Sequence, residues 1–161
     1  MKLIDEITKH LDFSSYQVIY VGFSGGTDST ALLVSLKEIS PLRNFEVIAV
    51  HFEHAIRGEE SLNDEKWCRD FCIKRNISYK SFSLNVMKNK RNGEGIEEAA
   101  RRLRFEKWVE ITKSDEHTKF AIALGHHSGD KLENMFLRLF RGANSSGITS
   151  LRKKATVYGL E

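Results

Sequence analysis

Along the chain, compact runs of apolar residues alternate with segments in which apolar positions recur every three or four residues. The run from Gln17 to Phe23 is β-branched and lacks a helical period, so it predicts a buried strand. From Ser29 the apolar positions return to helical spacing, and Pro41 is predicted to stop that helix. The first unit of the chain is therefore predicted to be a strand, a glycine-containing turn and a helix.

The same unit recurs along the rest of the chain. Further strands are predicted at residues 45–52, 78–84, 119–125 and 155–160, and further helices at residues 3–11, 61–75, 96–111 and 129–141. Strands that alternate with helices long enough to cross back predict an α/β fold, an open parallel sheet wrapped by helices on both faces. Segments 85–95 and 142–150 are predicted to be mobile loops. Ligands of such sheets bind beyond the carboxyl ends of the strands.

Composition narrows the class of protein. The 161 residues are 40% hydrophobic and 29% charged, which is typical of one globular domain and disfavours a disordered or fibrous chain. The net charge of +3 permits a polyanionic partner without indicating one. Because no apolar run approaches a membrane helix and the start does not resemble a signal peptide, we expect a cytoplasmic protein without membrane association. Cys68 and Cys72 lie four apart in a predicted helix and are expected to be reduced core residues.

A polar, glycine-containing loop follows the first predicted strand. It consists of Ser24, Gly25, Gly26, Thr27, Asp28 and Ser29. Two glycines allow a sharp turn with inward N–H groups, and the start of the next helix adds positive charge, so the loop suits anionic oxygens. It is neither a Walker A motif nor a GxGxxG fingerprint. Since a carboxylate would repel phosphate, Asp28 predicts a bridging Mg²⁺. An ordinary turn with Ser and Asp as helix caps explains each residue singly but not all six together.

These six residues resemble the PP-loop of the N-type ATP pyrophosphatases, in which Ser-Gly-Gly-x-Asp-Ser follows a first strand. The resemblance implies an adenine nucleotide alpha hydrolase-like, Rossmann-like fold. It also implies that ATP is cleaved between its α- and β-phosphates, with pyrophosphate held by residues 24–29. The superfamily includes amide-forming synthetases and several tRNA-modifying enzymes, so this motif leaves the substrate open.

A second motif narrows the family. After the second strand the chain reads Val-His-Phe-Glu-His-Ala-Ile-Arg-Gly-Glu-Glu-Ser, which resembles the signature of the tRNA(Ile)-lysidine synthases at this place. His54 and Arg57 are expected to offer donors to a phosphate or ribose, the alternative being solvated polar residues at a strand end. A zinc site is a further alternative, disfavoured because the short Cys-x₂-Cys knuckle is absent. Its ligands would be His51, His54, Cys68 and Cys72.

A third motif lies in the helix predicted at 96–111. From Glu97 to Phe105 the chain resembles the Glu-x-x-Ala-Arg-x-x-Arg-Tyr motif of the same family, with phenylalanine in place of tyrosine. The resemblance implies that Arg101 neutralises charge at the reacting phosphate or holds the RNA. A surface helix with internal ion pairs is the alternative. The buried face of this helix is predicted to contain Ile96, Ala100, Leu103, Trp108 and Ile111.

A fourth motif follows the fourth predicted strand. The sequence Gly-His-His-Ser-Gly-Asp-Lys-Leu-Glu-Asn resembles the His-His, Asp and Glu stretch of the family at this place, with Gly129 where a second Asp is frequent and Asn134 where Thr is frequent. Asp130 and Glu133 are one turn apart, so both carboxylates are expected to face one spot, as metal binding or activation of an amine requires. His126 joins the residues expected to bind the nucleotide.

The four motifs occur in family order, and the resemblance implies a reaction. With ATP and Mg²⁺, the C2 oxygen of the wobble cytidine of an isoleucine tRNA with a CAU anticodon is adenylated, and the ε-amine of lysine then displaces AMP. The implied catalytic residues are Asp28, Arg101, Asp130 and Glu133. Residues 1–161 are expected to form a single catalytic domain, truncated at its C-terminal end and lacking the family's tRNA-binding domains, with weak tRNA binding. The oligomeric state is left open, a homodimer being one option.

Three other functions remain as alternatives. A tRNA cytidine or uridine thiolase shares the loop, but its cytidine-thiolating branch would require more cysteines than the two present. An ammonia-using amide synthetase would leave the second and third motifs unexplained. A nucleotide-binding domain that senses ATP without chemistry would need only the loop.

Overall fold

The computed structural model describes residues 13, 16–53, 59–114, 119–127, 135–142 and 156–158. Within them the chain forms six strands and four helices. In chain order these are β1 (Val18–Gly22), α1 (Thr27–Arg43), β2 (Glu46–Glu53), α2 (Glu59–Lys74), β3 (Ser78–Ser83), α3 (Val86–Asn89), α4 (Ile96–Lys113), β4 (Phe120–His127), β5 (Met135–Gly142) and β6 (Thr156–Tyr158). Of the described helices, none combines the length and apolar character that a membrane span needs. The helix predicted at 3–11 lies outside the described residues, and so does the loop predicted at 142–150 except for Gly142, the last residue of β5.

The strands form one sheet in the order β3-β2-β1-β4-β5-β6. β1 pairs in parallel with β2 on one side and β4 on the other, and β3 extends the parallel part beyond β2. The predicted parallel sheet is therefore confirmed for these four strands. Because the winding direction reverses between β1 and β4, the carboxyl end of β1 lies at the switch point, where open α/β sheets bind ligands.

Side chains of β1 enter the core on both faces of the sheet. Ile19 and Val21 pack in one cluster with residues of α1 and α2. Val18 and Tyr20 pack in a second cluster with Trp108 of α4. A strand buried on both faces is apolar at successive positions, which explains why its sequence shows no alternation. The predicted helices on both faces of the sheet are thus confirmed.

The end of α1 differs from the prediction that Pro41 stops the helix. Pro41 lies within the helix, which continues to Arg43. Proline has no N–H to donate to the carbonyl of Lys37, and the Ser40 hydroxyl donates to that carbonyl instead, at 2.9 Å. The helix ends at Asn44, whose backbone is left-handed and whose N–H donates to the carbonyl of Ser40.

The helix predicted at 129–141 is wrong over residues 135–141, which belong to β5. β5 pairs antiparallel with β4, from Phe120 opposite Gly142 to His127 opposite Met135. A short run of leucine and phenylalanine does not distinguish strand from helix by its period. Pairing with β4 satisfies the backbone of both strands, and β6, within the strand predicted at 155–160, then pairs antiparallel with β5.

The predicted apolar face of α4 is confirmed for most of its positions. Ala100, Trp108 and Ile111 are buried, and Leu103 packs partly buried against the core. Ile96 is 43% exposed, contrary to the prediction, because it is the first residue of the helix. The segment 85–95, predicted to be a loop, contains the single turn of α3.

Candidate nucleotide-binding site

The glycine loop turns at the carboxyl end of β1, at the switch point of the sheet. Gly25 has a φ of +82°, in the left-handed region that glycine adopts without strain. Gly26 is the N-cap residue of α1 and has an extended backbone. No side chain caps this start of α1 in the described chain. Uncapped N–H groups at a helix start favour an anionic ligand.

Two serines stabilise the loop through hydrogen bonds within it. The Ser29 hydroxyl donates to the carbonyl of Gly26 at 3.0 Å and accepts from the N–H of Ser24 at 3.3 Å. The Oγ atoms of Ser24 and Ser29 lie 3.1 Å apart, within hydrogen-bond distance of each other. Ser29 is buried, whereas Ser24 and Thr27 are exposed. Ser24 and Thr27 thus present the accessible hydroxyls, and Ser29 holds the shape of the loop.

Helix α2 forms the floor under Gly25. A Cβ atom at Gly25 would lie 3.1 Å from Cys68 Sγ and 3.4 Å from the ring of Trp67. Trp67 in turn packs on Phe23, with 6.1 Å between ring centroids. The positive φ favours glycine at this position, and the space for a side chain there is tight.

Strands β2 and β4 hold the two flanks of the loop. On the β2 side, Nδ1 of the buried His51 lies 2.8 Å from the carbonyl oxygen of Phe23. On the β4 side, a Cβ at Gly125 would lie 3.2 Å from the backbone nitrogen of Ser29 and 3.3 Å from the carbonyl of Asp28. Neither contact was predicted from the sequence. The glycine at the end of a strand was the available signal for the second one.

Asp28 lies in the first turn of α1 and is partly exposed. Its carboxylate is the hard oxygen ligand that Mg²⁺ prefers, and Mg²⁺ is usually bound by one or two carboxylates together with substrate phosphates. A carboxylate beside an uncapped helix start therefore fits a Mg²⁺ ion shared with a phosphate. Among the residues that the structure describes, no three His, Cys, Asp or Glu side chains gather into a site formed by protein ligands alone.

Arg101 and Arg104 share one flank of α4, as predicted. Arg101 is exposed, and Arg104 is partly buried with its Nε donating to the carbonyl of Ala100 at 3.4 Å. Burial, and then the neighbouring charge of Arg101, lowers the pKa of the Arg104 guanidinium. Arg101 is therefore the more accessible cation of the two.

A second loop at the carboxyl edge is held by a bidentate ion pair that was not predicted from the sequence. Arg102 donates from Nε and Nη2 to the two carboxylate oxygens of Glu94, each at 2.8 Å. Arg102 Nη2 also donates to the carbonyl of Asn89 at 3.0 Å, and the N–H of Arg91 donates to Glu94 at 3.0 Å. These hydrogen bonds lower the pKa of Glu94 to about 2. Their effect is to tie the segment after β3 to α4.

The two cysteines are buried free thiols, as predicted. Burial, and then the neighbouring Cys72, raises the pKa of Cys68 to about 12. Burial likewise raises the pKa of Cys72 to about 11. Nucleophilic attack requires a thiolate, so these values disfavour a cysteine-based reaction.

A family model described as the PP-loop domain matches residues 1–161. The chain belongs to the PP-loop domain family. The tRNA(Ile)-lysidine synthase of Geobacillus kaustophilus is 33% identical over 154 residues, which cover 95% of this chain and 33% of that protein. The tRNA(Ile)-lysidine synthase of Petrotoga mobilis is 35% identical over 151 residues, covering 93% of this chain and 48% of that protein. The PP-loop chain thus spans about a third to a half of these curated relatives.

A solved structure supports the PP-loop fold. The U34-tRNA thiolase of Methanococcus maripaludis, determined with its 4Fe-4S cluster, superposes with a TM-score of 0.62 at 18% identity. The match covers 75% of this chain and 43% of that one. At this identity the likeness establishes the common fold and leaves the reaction open.

The structure describes some of the predicted site residues. Residues 24–29 form the loop, and the backbone of His126 lies near the end of β4, opposite Phe136 of β5. Arg101 is placed on α4. The remaining predicted site residues lie outside the described residues and stay predictions. They are His54, Arg57, Asp130 and Glu133.

Proposed function

We propose that this PP-loop domain carries out the ATP-dependent ligation of lysine to C2 of the wobble cytidine of an isoleucine tRNA with a CAU anticodon. The product is lysidine, with release of AMP and pyrophosphate. The proposal rests on the relatives named tRNA(Ile)-lysidine synthase, which match more than nine-tenths of the chain, and on four motifs in the order of that family. The observation that carries it is the glycine loop, ordered around an uncapped helix start at the switch point.

In the proposed first step, the C2 oxygen of cytidine attacks the α-phosphate of ATP. The bond to the β-phosphate breaks, and pyrophosphate departs. The loop binds the departing group through the first N–H groups of α1 and the exposed hydroxyls of Ser24 and Thr27. Asp28 would hold Mg²⁺, which when bound neutralises phosphate charge. Arg101 offsets the negative charge that builds up on the phosphates.

In the proposed second step, the ε-amine of lysine attacks C2. The C2–O bond breaks, AMP leaves with that oxygen, and the amine loses a proton. A carboxylate is the group suited to accept this proton and to orient an amine, and we assign these roles to Asp130 and Glu133. His54, Arg57 and His126 are assigned to the nucleotide. A tRNA substrate and two reduced, buried cysteines support a cytoplasmic location.

The test is incubation of the protein with ATP, Mg²⁺, radiolabelled lysine and total bacterial tRNA. Label is expected in an isoleucine tRNA, at the wobble cytidine, with one AMP released per lysine incorporated. Release of AMP and pyrophosphate without incorporation of lysine would support the ATP pyrophosphatase activity and contradict the proposed substrates. Absence of both products would favour a domain that binds ATP without chemistry.

Replacing Asp28 with Ala is expected to lower Mg²⁺-dependent turnover at least about 100-fold, because the carboxylate proposed to hold the metal is lost. The matched control is Asp70→Ala, which removes an exposed carboxylate of α2 and should leave turnover unchanged. Pyrophosphate release measures both variants. Unaltered turnover in Asp28→Ala would contradict the role given to the loop.

A further inference from the structure

His51 is a buried histidine that none of the proposed steps uses. It lies near the carboxyl end of β2 and is 6% exposed. Its Nδ1 is 2.8 Å from the carbonyl oxygen of Phe23, the residue directly before the loop. A carbonyl can only accept a hydrogen bond, so Nδ1 carries the proton in this contact. The ring is thereby fixed in one orientation between two neighbouring strands.

The bond lies where the chain leaves β1. The N–H of Phe23 still donates to the carbonyl of Val50 at 2.9 Å, as in a parallel ladder. The carbonyl of Phe23 accepts from the imidazole. Two residues later the backbone turns sharply at Gly25, with its φ of +82°. The histidine therefore holds the last peptide group that determines in which direction the loop leaves the sheet.

We propose that His51 is a positioning residue for the phosphate loop. Its Nδ1–H bond to Phe23 holds residues 24–26 in the conformation that binds the pyrophosphate end of ATP. The inference rests on the proposed function in that ATP is taken as the ligand of the loop. It does not depend on lysine or tRNA, and the experiments below require neither.

Three substitutions separate positioning from general stability. In His51→Asn the amide nitrogen takes the place of Nδ1, and in His51→Gln it is displaced by one bond length. His51→Leu removes the donor, so the buried carbonyl of Phe23 loses this hydrogen bond. The Kd for Mg²⁺-ATP is expected to rise about 10-fold in the Leu variant, less in the Gln variant and least in the Asn variant.

Each Kd is measured at a temperature at which circular dichroism shows the variant folded. A purely structural histidine would lower the unfolding temperature of the Leu variant and leave the Kd unchanged, and that result overturns the proposal. If the Leu variant does not fold, the Asn and Gln variants decide. Weaker binding by Gln than by Asn supports positioning, and equal binding overturns it.

Trp67 provides a second readout that needs no nucleotide. Its ring lies under Gly25 and is 49% exposed, whereas Trp108 is buried on the other face of the sheet. Acrylamide quenching of Trp67 is expected to increase in His51→Leu and to stay near the native level in His51→Asn. The Trp67→Phe variant shows which part of the fluorescence comes from Trp67, because Trp108 is then the remaining tryptophan.

The two readouts separate this inference from the proposed function. If the native protein does not bind Mg²⁺-ATP, the proposed function fails, and the quenching comparison still tests whether His51 holds the loop. Unchanged quenching in His51→Leu overturns the inference. Quenching that changes in the Leu variant and is restored in the Asn variant supports it.

Discussion

Two loops at the carboxyl edge of the sheet are ordered in different ways. The loop after β1 is held by α2, β2 and β4, through contacts with residues distant in sequence. The loop after β3 is held by the buried side chains of Leu84 and Val86, which pack with α4, and by the ion pair of Glu94 and Arg102, which are eight residues apart. Both loops are packed against a helix; the first also requires a glycine with a positive φ, and the second adds a bidentate ion pair. The proposed phosphate site is thus built from the part of the fold that forms only when the whole sheet is assembled.

The two loops should also differ in how they respond to added salt. The floor of the first loop is formed by Cys68 and Trp67, which carry no charge, so salt does not screen these contacts. The ion pair of the second loop is partly accessible, with 19% of the Arg102 side chain and 9% of the Glu94 side chain exposed. Added salt should therefore affect the second loop first.

The largest expected effect is on the chemical reactivity of Cys68, at the floor of the first loop. With the pKa of Cys68 raised from 9.0 to about 12, its thiolate fraction at pH 8 is roughly 1,000-fold below that of an ordinary cysteine. Cys68 in the folded chain should therefore resist iodoacetamide, as measured by mass spectrometry of the labelled protein. In urea both cysteines should react at the ordinary rate. Rapid labelling of Cys68 in the folded chain would show that the floor is open.

A glycine in each loop allows a matched comparison of sterics. Gly25 and Gly93 have nearly the same backbone conformation, with φ of +82° and +79°, but a Cβ atom would meet neighbours within 4 Å at Gly25 and none at Gly93 in the described chain. Replacement of either by Ala should cost about 1–2 kcal/mol in the free energy of unfolding, because of the positive φ.

Gly25→Ala should in addition weaken Mg²⁺-ATP binding about 10-fold or more, because Cys68 displaces the loop. Urea unfolding and ATP titration measure the two effects. Equal ATP affinity in both alanine variants would remove the steric argument for Gly25.

The smallest expected effect is that of acid on the free energy of unfolding. Arg102 and the N–H of Arg91 lower the pKa of Glu94 to about 2, so the folded protein keeps this carboxylate charged at pH values where the unfolded chain is protonated. The resulting stability is present above the ordinary glutamate pKa of about 4.3 and is lost as the pH falls toward 2. In Glu94→Gln, the free energy of unfolding should lack this acid-dependent contribution.

Urea unfolding at pH 7, 4 and 3 compares the Gln variant with the native chain. ATP affinity of the variant at pH 7 should equal that of the native protein, because the hydrogen-bond partners of the Glu94 carboxylate, Arg91 and Arg102, are not residues of the glycine loop. Loss of ATP binding would show that the two loops are coupled.

Several elements could be predicted because their signals are local. The apolar run of β1 and the helical spacing of α1, α2 and α4 predicted the parallel part of the sheet and its covering helices. Local signals were insufficient where a hydrogen-bonding partner determined whether the chain formed a helix or a strand. The Ser40 hydroxyl allows α1 to continue past Pro41, and pairing with β4 makes residues 135–142 a strand.

The class of fold and the chemistry of the loop followed from the amino-acid sequence alone, because periodicity and the types of residue at 24–29 are visible along one strand and one helix. Which distant groups hold that loop was settled only by the folded chain. The contacts of Gly25 with α2, Gly125 with α1 and His51 with Phe23 join residues from separate elements. Such contacts depend on the order of strands in the sheet, which no local pattern specifies.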